Sequence, residues 1–131
     1  MSYYFSKIVI GENFEEVIEL VTAELKKEGF GVVTEIDMKD ILKKKIDVDF
    51  RKYKILGACH PQYAYRILTT DDKIGVFLPC NVVVQELELG TIEVFAVDPA
   101  VASMIAVTNE SLRDIAKEVQ QKLKNVIAGI H

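Results

Sequence analysis

Hydrophobic and polar positions alternate along the chain with the periods of strands and helices, in the order β, α, β, α, β, α, β, β, α. Residues 3–10 predict a first strand. A helix follows, because Asn13 can accept hydrogen bonds from the free amides of a first helical turn and Glu16 completes a pattern similar to a capping box. Gly29 predicts the end of this helix. Five apolar residues share one helical face: Phe14, Val17, Ile18, Val21 and Leu25.

The remaining segments continue this alternation as far as the C-terminus. The predicted strands are 30–37, with Phe30, Val32, Thr34 and Ile36 on one side, 53–59, 76–89 and 91–97. The predicted helices are 38–46, 61–70 and 109–128, with a short helical turn at 99–104. Thr108 or Asn109 is expected to cap the last helix, which carries an apolar stripe. That stripe contains Leu112, Ile115, Ala116, Val119, Leu123 and Val126.

The last two predicted strands meet at a tight turn near Gly90, so the sheet is at least partly antiparallel. The fold class expected from this order is α+β. It is one domain over residues 1–131, with a mostly antiparallel sheet of about five strands and helices packed on one face. A chain of 131 residues has the size of one domain and can bury roughly two-thirds of the surface that it exposes when unfolded.

The formal net charge of −4 argues against nucleic acid or an acidic membrane as a partner, because binding phosphate requires a positive surface. Basic residues cluster between Lys39 and Lys54, but aspartates interrupt them, and we expect a solvated surface around a short helix. No signal peptide is visible, and no apolar run reaches the ~20 residues that span a bilayer. We therefore expect a cytoplasmic protein with free, reactive or metal-binding cysteines rather than a structural disulfide.

Common catalytic and nucleotide-binding motifs do not occur in the sequence. The segment Gly29-Phe30-Gly31 resembles the start of a dinucleotide-binding loop, but it precedes a strand and lacks the third glycine. There is no Gly-x-Ser-x-Gly elbow and no paired-histidine zinc helix, and His60 is the one histidine before the C-terminal residue. The sequence thus leaves open whether the protein is an enzyme.

Two segments carry reactive side chains at the ends of apolar runs, Gly57 to Pro61 and Leu78 to Asn81. Cys59 precedes a predicted helix start, where backbone amides and the helix dipole favour a thiolate, and His60 is placed to act as a proton partner or ligand. If the strand that carries Cys80 lies beside the strand that carries Cys59, the two thiols share a site. Such a site is typical of thiol-based binding, of a redox disulfide or of sulfur transfer.

Three alternatives remain open for these residues. Two sulfurs and one imidazole suit zinc or copper(I), with Cys59, His60 and Cys80 as ligands, although a closed zinc site needs a fourth. Alternatively, the cysteines are core residues, since cysteine packs as a small hydrophobe. The protein is then a small-ligand-binding module or a homodimeric interaction module, pairing through Val82-Val83-Val84 and the neighbouring apolar face. The third alternative is an enzyme with a carboxylate-based site.

Further candidates for ligand contacts are Asn81, Tyr65 and Arg66. Asn81 follows Cys80 directly, where it can also shape a bulge together with Pro79. Amphipathic tyrosines near the mouth of a site often position ligands, and they also form the wet edge of many cores. An arginine can hold an anion, and it can equally be a surface cation.

At these same residues the sequence resembles the domain of unknown function 302 family. The resemblance is carried by residues 55–61 with Ala64-Tyr65-Arg66, by residues 75–84, and by Val97-Asp98-Pro99. The opening strand and capped helix match in order and spacing, so the resemblance covers nearly the whole chain. It implies a small α+β fold with an antiparallel sheet, found as a stand-alone bacterial or archaeal protein, and it implies no particular reaction.

Overall fold

The computed structural model describes residues 2–104 and 109–131, which form five strands, five α-helices and one 3₁₀ helix. The strands are β1 (Tyr4–Ile10), β2 (Gly31–Asp37), β3 (Tyr53–Cys59), β4 (Cys80–Glu88) and β5 (Thr91–Val97). The α-helices are α1 (Phe14–Lys27), α2 (Met38–Ile46), α3 (Pro61–Thr70), α4 (Pro99–Met104) and α5 (Glu110–Ala128), and the 3₁₀ helix is Asp72–Phe77. None of the helices in the described ranges is long and apolar enough to cross a membrane.

The five strands form one open sheet in the order β1-β5-β4-β3-β2, and every neighbouring pair is antiparallel. β4 lies in the centre, and β1 and β2 are the two edges. The structure therefore confirms the α+β class and the antiparallel sheet that the pattern predicts.

Helices α1 and α5 pack against one face of the sheet, here called the inner face, and enclose the core with it. The buried stripes of both helices contain the residues that the sequence predicts, except that Ile18 is half-buried at the margin of α1 and that α5 also buries Ile127. Asn13 caps α1 by accepting hydrogen bonds from the amides of Glu15 and Glu16. Asn109 caps α5 by accepting from the amide of Leu112, whereas Thr108 lies outside the described residues.

The prediction of a strand at 76–89 is wrong at its start. Residues 76 and 77 belong to the 3₁₀ helix, and β4 begins at Cys80. The amide of Leu78 donates to the carbonyl oxygen of Gly75, which closes a turn, and Pro79, joined to Leu78 by a cis peptide bond, has no amide hydrogen to donate to a neighbouring strand. The apolar run from Ile74 to Val84 is thus a turn of helix followed by a strand, and not one core strand.

The facing of β2 also differs from the prediction that Phe30, Val32, Thr34 and Ile36 share one side. A bulge between Val32 and Thr34 shifts the register. Val32 pairs with Ala58 on the inner face, whereas Thr34 and Ile36 pair with Gly57 and Ile55 on the opposite face. One extra residue in a strand reverses the side to which all later residues point.

Candidate ligand-binding cavity

A cavity of about 420 Å³ lies between α3, α5, the 3₁₀ helix and the adjacent ends of β3 and β4. Aliphatic and aromatic side chains form most of its wall, and none of the described residues that line it carries a formal charge. Representative members of the apolar wall are Phe30, Tyr63, Ile67, Phe77, Leu112 and Val119. Four of the residues singled out from the sequence also line it: Cys59, His60, Cys80 and Asn81.

The sheet register explains why these four residues meet. β3 ends where the antiparallel strand β4 begins, and Ala58 and Gly57 pair directly with Cys80 and Asn81. Cys59 follows Ala58, so both cysteines reach the same cavity from neighbouring strands. Both are free thiols and both are half-buried.

The thiol of Cys80 is held in its protonated form. Burial in the apolar wall raises its pKa to about 11, with a smaller contribution from the negative charge of a Cys59 thiolate. At pH 7 a thiol with this pKa is ionised in roughly one molecule in ten thousand. Because the thiolate is the form that attacks electrophiles and binds metals, Cys80 is suited to packing and weak hydrogen bonding rather than to nucleophilic attack.

His60 occupies the N-cap position of α3, but its side chain makes no capping hydrogen bond. The imidazole packs instead against Phe30 and Tyr63, with ring centroids 5.3 Å and 4.4 Å apart. Its Nδ1 is buried and has no hydrogen-bond partner among the described residues. Burial, followed by the positive charge of Lys122, lowers the pKa of His60, which favours the neutral ring at pH 7.

Two glycines allow the close contacts around this ring and strand. Gly29 has a φ of +89°, and a Cβ added there would lie 2.6 Å from Nε2 of His60. A Cβ added at Gly57 would lie 2.7 Å from Cγ of Pro79 and would also overlap the hydroxyl of Thr34. Both positions therefore need the absence of a side chain for packing, and Gly29 needs it for its backbone conformation as well.

Tyr65 and Arg66 lie outside the cavity, so the structure does not bring them together with the other candidates. Tyr63, Ala64 and Ile67 face the cavity from α3, and the helical repeat turns Tyr65 and Arg66 away from it. The side chain of Tyr65 is 73% exposed. The guanidinium of Arg66 lies 3.6 Å from the carboxylate of Glu118, in the manner of a surface cation.

Asp98 fixes the far side of the cavity, a role that the sequence analysis does not predict. It is 5% exposed and is the buried acidic side chain among the described residues. Its carboxylate accepts from the amide of Ala100 at 3.0 Å, which caps α4, and from Nε2 of Gln120 at 3.0 and 3.1 Å. These bonds tie the end of β5 to α5 beside Val97 and Pro99, which line the cavity. The sequence motif marks Asp98, but no local signal connects it to Gln120.

The part of the chain that the structure describes contains no preformed cluster of metal ligands. No group of three or more His, Cys, Asp or Glu side chains there is arranged to hold a metal ion. Zinc or copper binding by Cys59, His60 and Cys80 therefore stays a prediction from the sequence.

Comparison with known proteins identifies relatives of known fold. The family model described as "Domain of unknown function DUF302" matches residues 7–130. The crystal structure of an uncharacterized conserved protein DUF302 from Bacillus stearothermophilus superimposes with a TM-score of 0.89 at 29% sequence identity, and the match covers 100% of both chains. None of the curated proteins matches the chain.

Proposed function

The chain belongs to the DUF302 family, and we propose that it is a binding domain for a small, uncharged and mostly apolar molecule. The observation that supports this proposal is the cavity of about 420 Å³ between α3, α5 and the ends of β3 and β4. Ligand pockets in proteins commonly measure ~300–1,000 Å³ and combine an apolar wall with a few placed polar groups. This cavity has both properties.

The chemistry of the wall selects the class of ligand. A charged molecule would lose its hydration in this cavity, and the described lining residues offer no opposite charge in return. The neutral imidazole of His60 and the protonated thiol of Cys80 supply none. An uncharged molecule with an apolar body loses little on entry and gains the burial of its surface.

A few polar groups are available to orient such a ligand. The side-chain amide of Asn81 offers donors and an acceptor, and the hydroxyl of Tyr63 offers both. Nδ1 of His60 has no partner among the described residues, but it is buried and does not face the cavity. We propose Asn81 and Tyr63 as the polar contacts, with Cys59 beside them.

Thiol chemistry is a second candidate, and one observation favours it. Cys59 and Cys80 line the same cavity as free thiols on neighbouring strands. Because Cys80 is held protonated, Cys59 is the thiol that we assign to any reactive role, and Cys80 would be the partner that it meets. Alkylation of the folded Cys59→Ser and Cys80→Ser variants with iodoacetamide tests this candidate. If Cys59 in the Cys80→Ser variant reacts no faster than Cys80 in the Cys59→Ser variant, thiol chemistry is excluded.

Binding can be tested with N-phenyl-1-naphthylamine, a neutral aromatic amine that fluoresces in apolar surroundings. We expect it to bind with micromolar affinity. Ala64→Leu adds three carbons to the cavity wall from α3 and should weaken binding at least tenfold, since it removes the space that the probe needs. Ala23→Leu, the same change at an exposed position of α1, is the matched control and should leave binding within twofold.

Three results would contradict the proposal. The probe would not bind the unaltered protein, or both leucine variants would bind it equally well, or a charged analogue such as naphthalene-1-sulfonate would bind more tightly than the neutral probe. Circular dichroism of each variant shows that a loss of binding does not come from a loss of the fold.

A further inference from the structure

The face of the sheet opposite α1 and α5, here called the outer face, has an unusual composition for a surface. Residues that pair across the strands point to the same side, which assigns Tyr4, Ile8, Ile55, Val83, Phe95 and Ile36 to this face. Antiparallel sheets that face water usually alternate apolar residues inward and polar residues outward. Here Ile55, Val83 and Phe95 are apolar outward positions of the three central strands, and Gln85 and Glu93 are polar ones beside them.

Several of these side chains are accessible in the single chain. Tyr4, Ile8 and Ile36 are 42%, 53% and 39% exposed. Phe95 lies between two tyrosines, with ring centroids 6.2 Å from Tyr4 and 6.3 Å from Tyr53, so that an aromatic row crosses the sheet. Val83 at the centre is 8% exposed, so the accessible apolar residues lie mainly on the two edge strands. Apolar residues exposed on the face of a sheet are typical of an interaction surface.

Charged residues are scarce on the outer face. Among the paired strand positions that point outward, Glu88 and Glu93 carry a charge. Glu88 lies near the turn between β4 and β5, whereas Glu93 lies one residue from the middle of β5, between Ile8 and Gln85. The carboxylate of Glu93 already accepts a hydrogen bond from Nε2 of Gln85 at 2.8 Å. The opposite end of the face, which contains Tyr4 and Asn81, carries no charge at the paired positions.

We propose that the outer face binds a second copy of this chain, so that two sheets pack face to face in a symmetric homodimer. The exposed residues on which the proposal rests, Tyr4, Ile8 and Ile36, do not line the cavity, which meets this face at Asn81. It replaces pairing through Val82-Val83-Val84, because β4 has a neighbour on both sides and Val82 and Val84 are buried in the core. Within that segment, Val83 alone points to the outer face.

The area of the face suits a stable dimer. Five strands ~4.8 Å apart, most of seven residues at ~3.4 Å each, give a face of roughly 20 by 24 Å. Two such faces bury roughly 1,000 Å² when they are counted flat, which reaches the size expected of a specific interface, and their side-chain relief adds to it. Two sheets that pack in this way lie ~10 Å apart.

Glu88, which lies at the end of the central strand β4, decides the direction of the two-fold axis. An axis perpendicular to the strands separates Glu88 of the two copies by roughly 20 Å, beyond the ~8 Å over which charges interact at physiological salt. Glu93, one residue from the middle of β5, lies inside the interface with either axis. An axis along the strands would bring the Glu88 carboxylates of both copies together, so we assign the perpendicular axis.

Sedimentation equilibrium of the full chain tests the dimer. At about 50 µM the unaltered protein should have twice the monomer mass of 14.8 kDa. Ile36→Lys places two unpaired charges in the dimer interface, one from each copy, and should weaken dimerisation more than 100-fold. Ile8→Lys places its ammonium beside Glu93, its cross-strand partner, and should weaken dimerisation less. Both positions lie on edge strands and are exposed in the single chain, so each variant should fold.

Val76→Lys is the matched control, because Val76 is an exposed apolar residue on the 3₁₀ helix, away from the sheet. It should remain a dimer. The proposal is overturned if the unaltered protein is a monomer at this concentration, or if both sheet variants fold, as judged by circular dichroism, and still form dimers. Equal loss of dimer in Val76→Lys would place the interface elsewhere.

Discussion

The imidazole of His60 is held by contacts that the neighbouring residues make possible. Phe30 and Tyr63 pack against its ring, and the main chain at Gly29 approaches the Nε2 edge. This placement leaves Nδ1 buried and without a partner among the described residues, which lowers the free energy of unfolding. Buried polar atoms without a partner are rare in native proteins, which makes this one a marked feature of the site.

Gly29→Ala should destabilise the protein by about 2–3 kcal/mol, because the new Cβ forces a non-glycine residue into a left-handed conformation and also displaces the ring of His60. Gly90→Ala is the control, since Gly90 has a similar φ of +82° with nothing within 4 Å of an added Cβ. It should cost about 1 kcal/mol from the backbone alone. Urea unfolding measures the free energy of unfolding of both variants. Equal losses would show that the contact with His60 contributes nothing to the cost of Gly29→Ala.

The raised pKa of Cys80 predicts a thiol that reacts slowly until the solution is strongly alkaline. A Cys59→Ser variant loses the contribution of Cys59, but burial, the larger cause, still raises the pKa of Cys80. At pH 9 its thiol should therefore be ionised to a much smaller extent than the roughly three-quarters expected of an unperturbed cysteine. Alkylation by iodoacetamide should therefore be far slower in the folded variant than in the same variant unfolded in urea. Similar rates in the two states would mean that burial does not hold the proton on Cys80.

Among the elements, those with strong local signals could be predicted from the sequence. Strand β3 and helices α2 and α3 have the predicted bounds, and α1 begins after the cap that Asn13 provides. The 3₁₀ helix was missed because an apolar run reports burial and not backbone conformation. The bulge at β2 was missed because no turn residue marks it.

The cavity could be predicted in part. The two cysteine segments are recognisable, and their meeting depends on β3 and β4 being neighbours, which the sequence allows but does not require. Tyr65 and Arg66 were chosen by residue type, and the helical repeat places them outside. Ala64 and Ile67, which do line the cavity, look like ordinary core residues in a sequence. Contacts between distant segments, such as Asp98 with Gln120, leave no local trace.

The bond between Asp98 and Gln120 joins β5 to α5, and we expect Gln120→Leu to destabilise the protein by about 1–3 kcal/mol. The reason is that a buried carboxylate loses a donor that contacts both of its oxygens. Gln121→Leu is the control, because Gln121 is exposed and bonds to Asn125 on the same helix. Its effect should stay within about 0.5 kcal/mol. Urea unfolding gives the free energy of unfolding of each variant. Equal losses in Gln120→Leu and Gln121→Leu would contradict a structural role for this bond.

On the scale of the whole molecule, the sheet separates two different uses of apolar surface. At one end of the sheet, α3, α5 and the 3₁₀ helix leave a cavity suited to a small molecule. For the outer face, we propose that a second copy covers it. Ile8 does not line the cavity, and Ala64 lies on α3 and not on the sheet, so a variant at either position should leave the other region intact. Ile8→Lys should therefore still bind the naphthylamine probe, and Ala64→Leu should still sediment as a dimer.

A molecule that binds the folded chain alone must also stabilise it, and this gives the cavity a test that does not depend on fluorescence. At a free concentration of about 100 times Kd, N-phenyl-1-naphthylamine should add about 2.7 kcal/mol to the free energy of unfolding. For a domain of 131 residues, with an unfolding entropy of about 2.1 cal/mol/K per residue, this raises Tm by roughly 10 °C. Ala64→Leu should show little shift at the same probe concentration, while Ala23→Leu should shift as the unaltered protein does. If the probe raises the Tm of Ala64→Leu as much as that of the unaltered protein, it binds outside the cavity, such as on the outer face. The comparison therefore distinguishes adsorption to the surface from binding in the cavity.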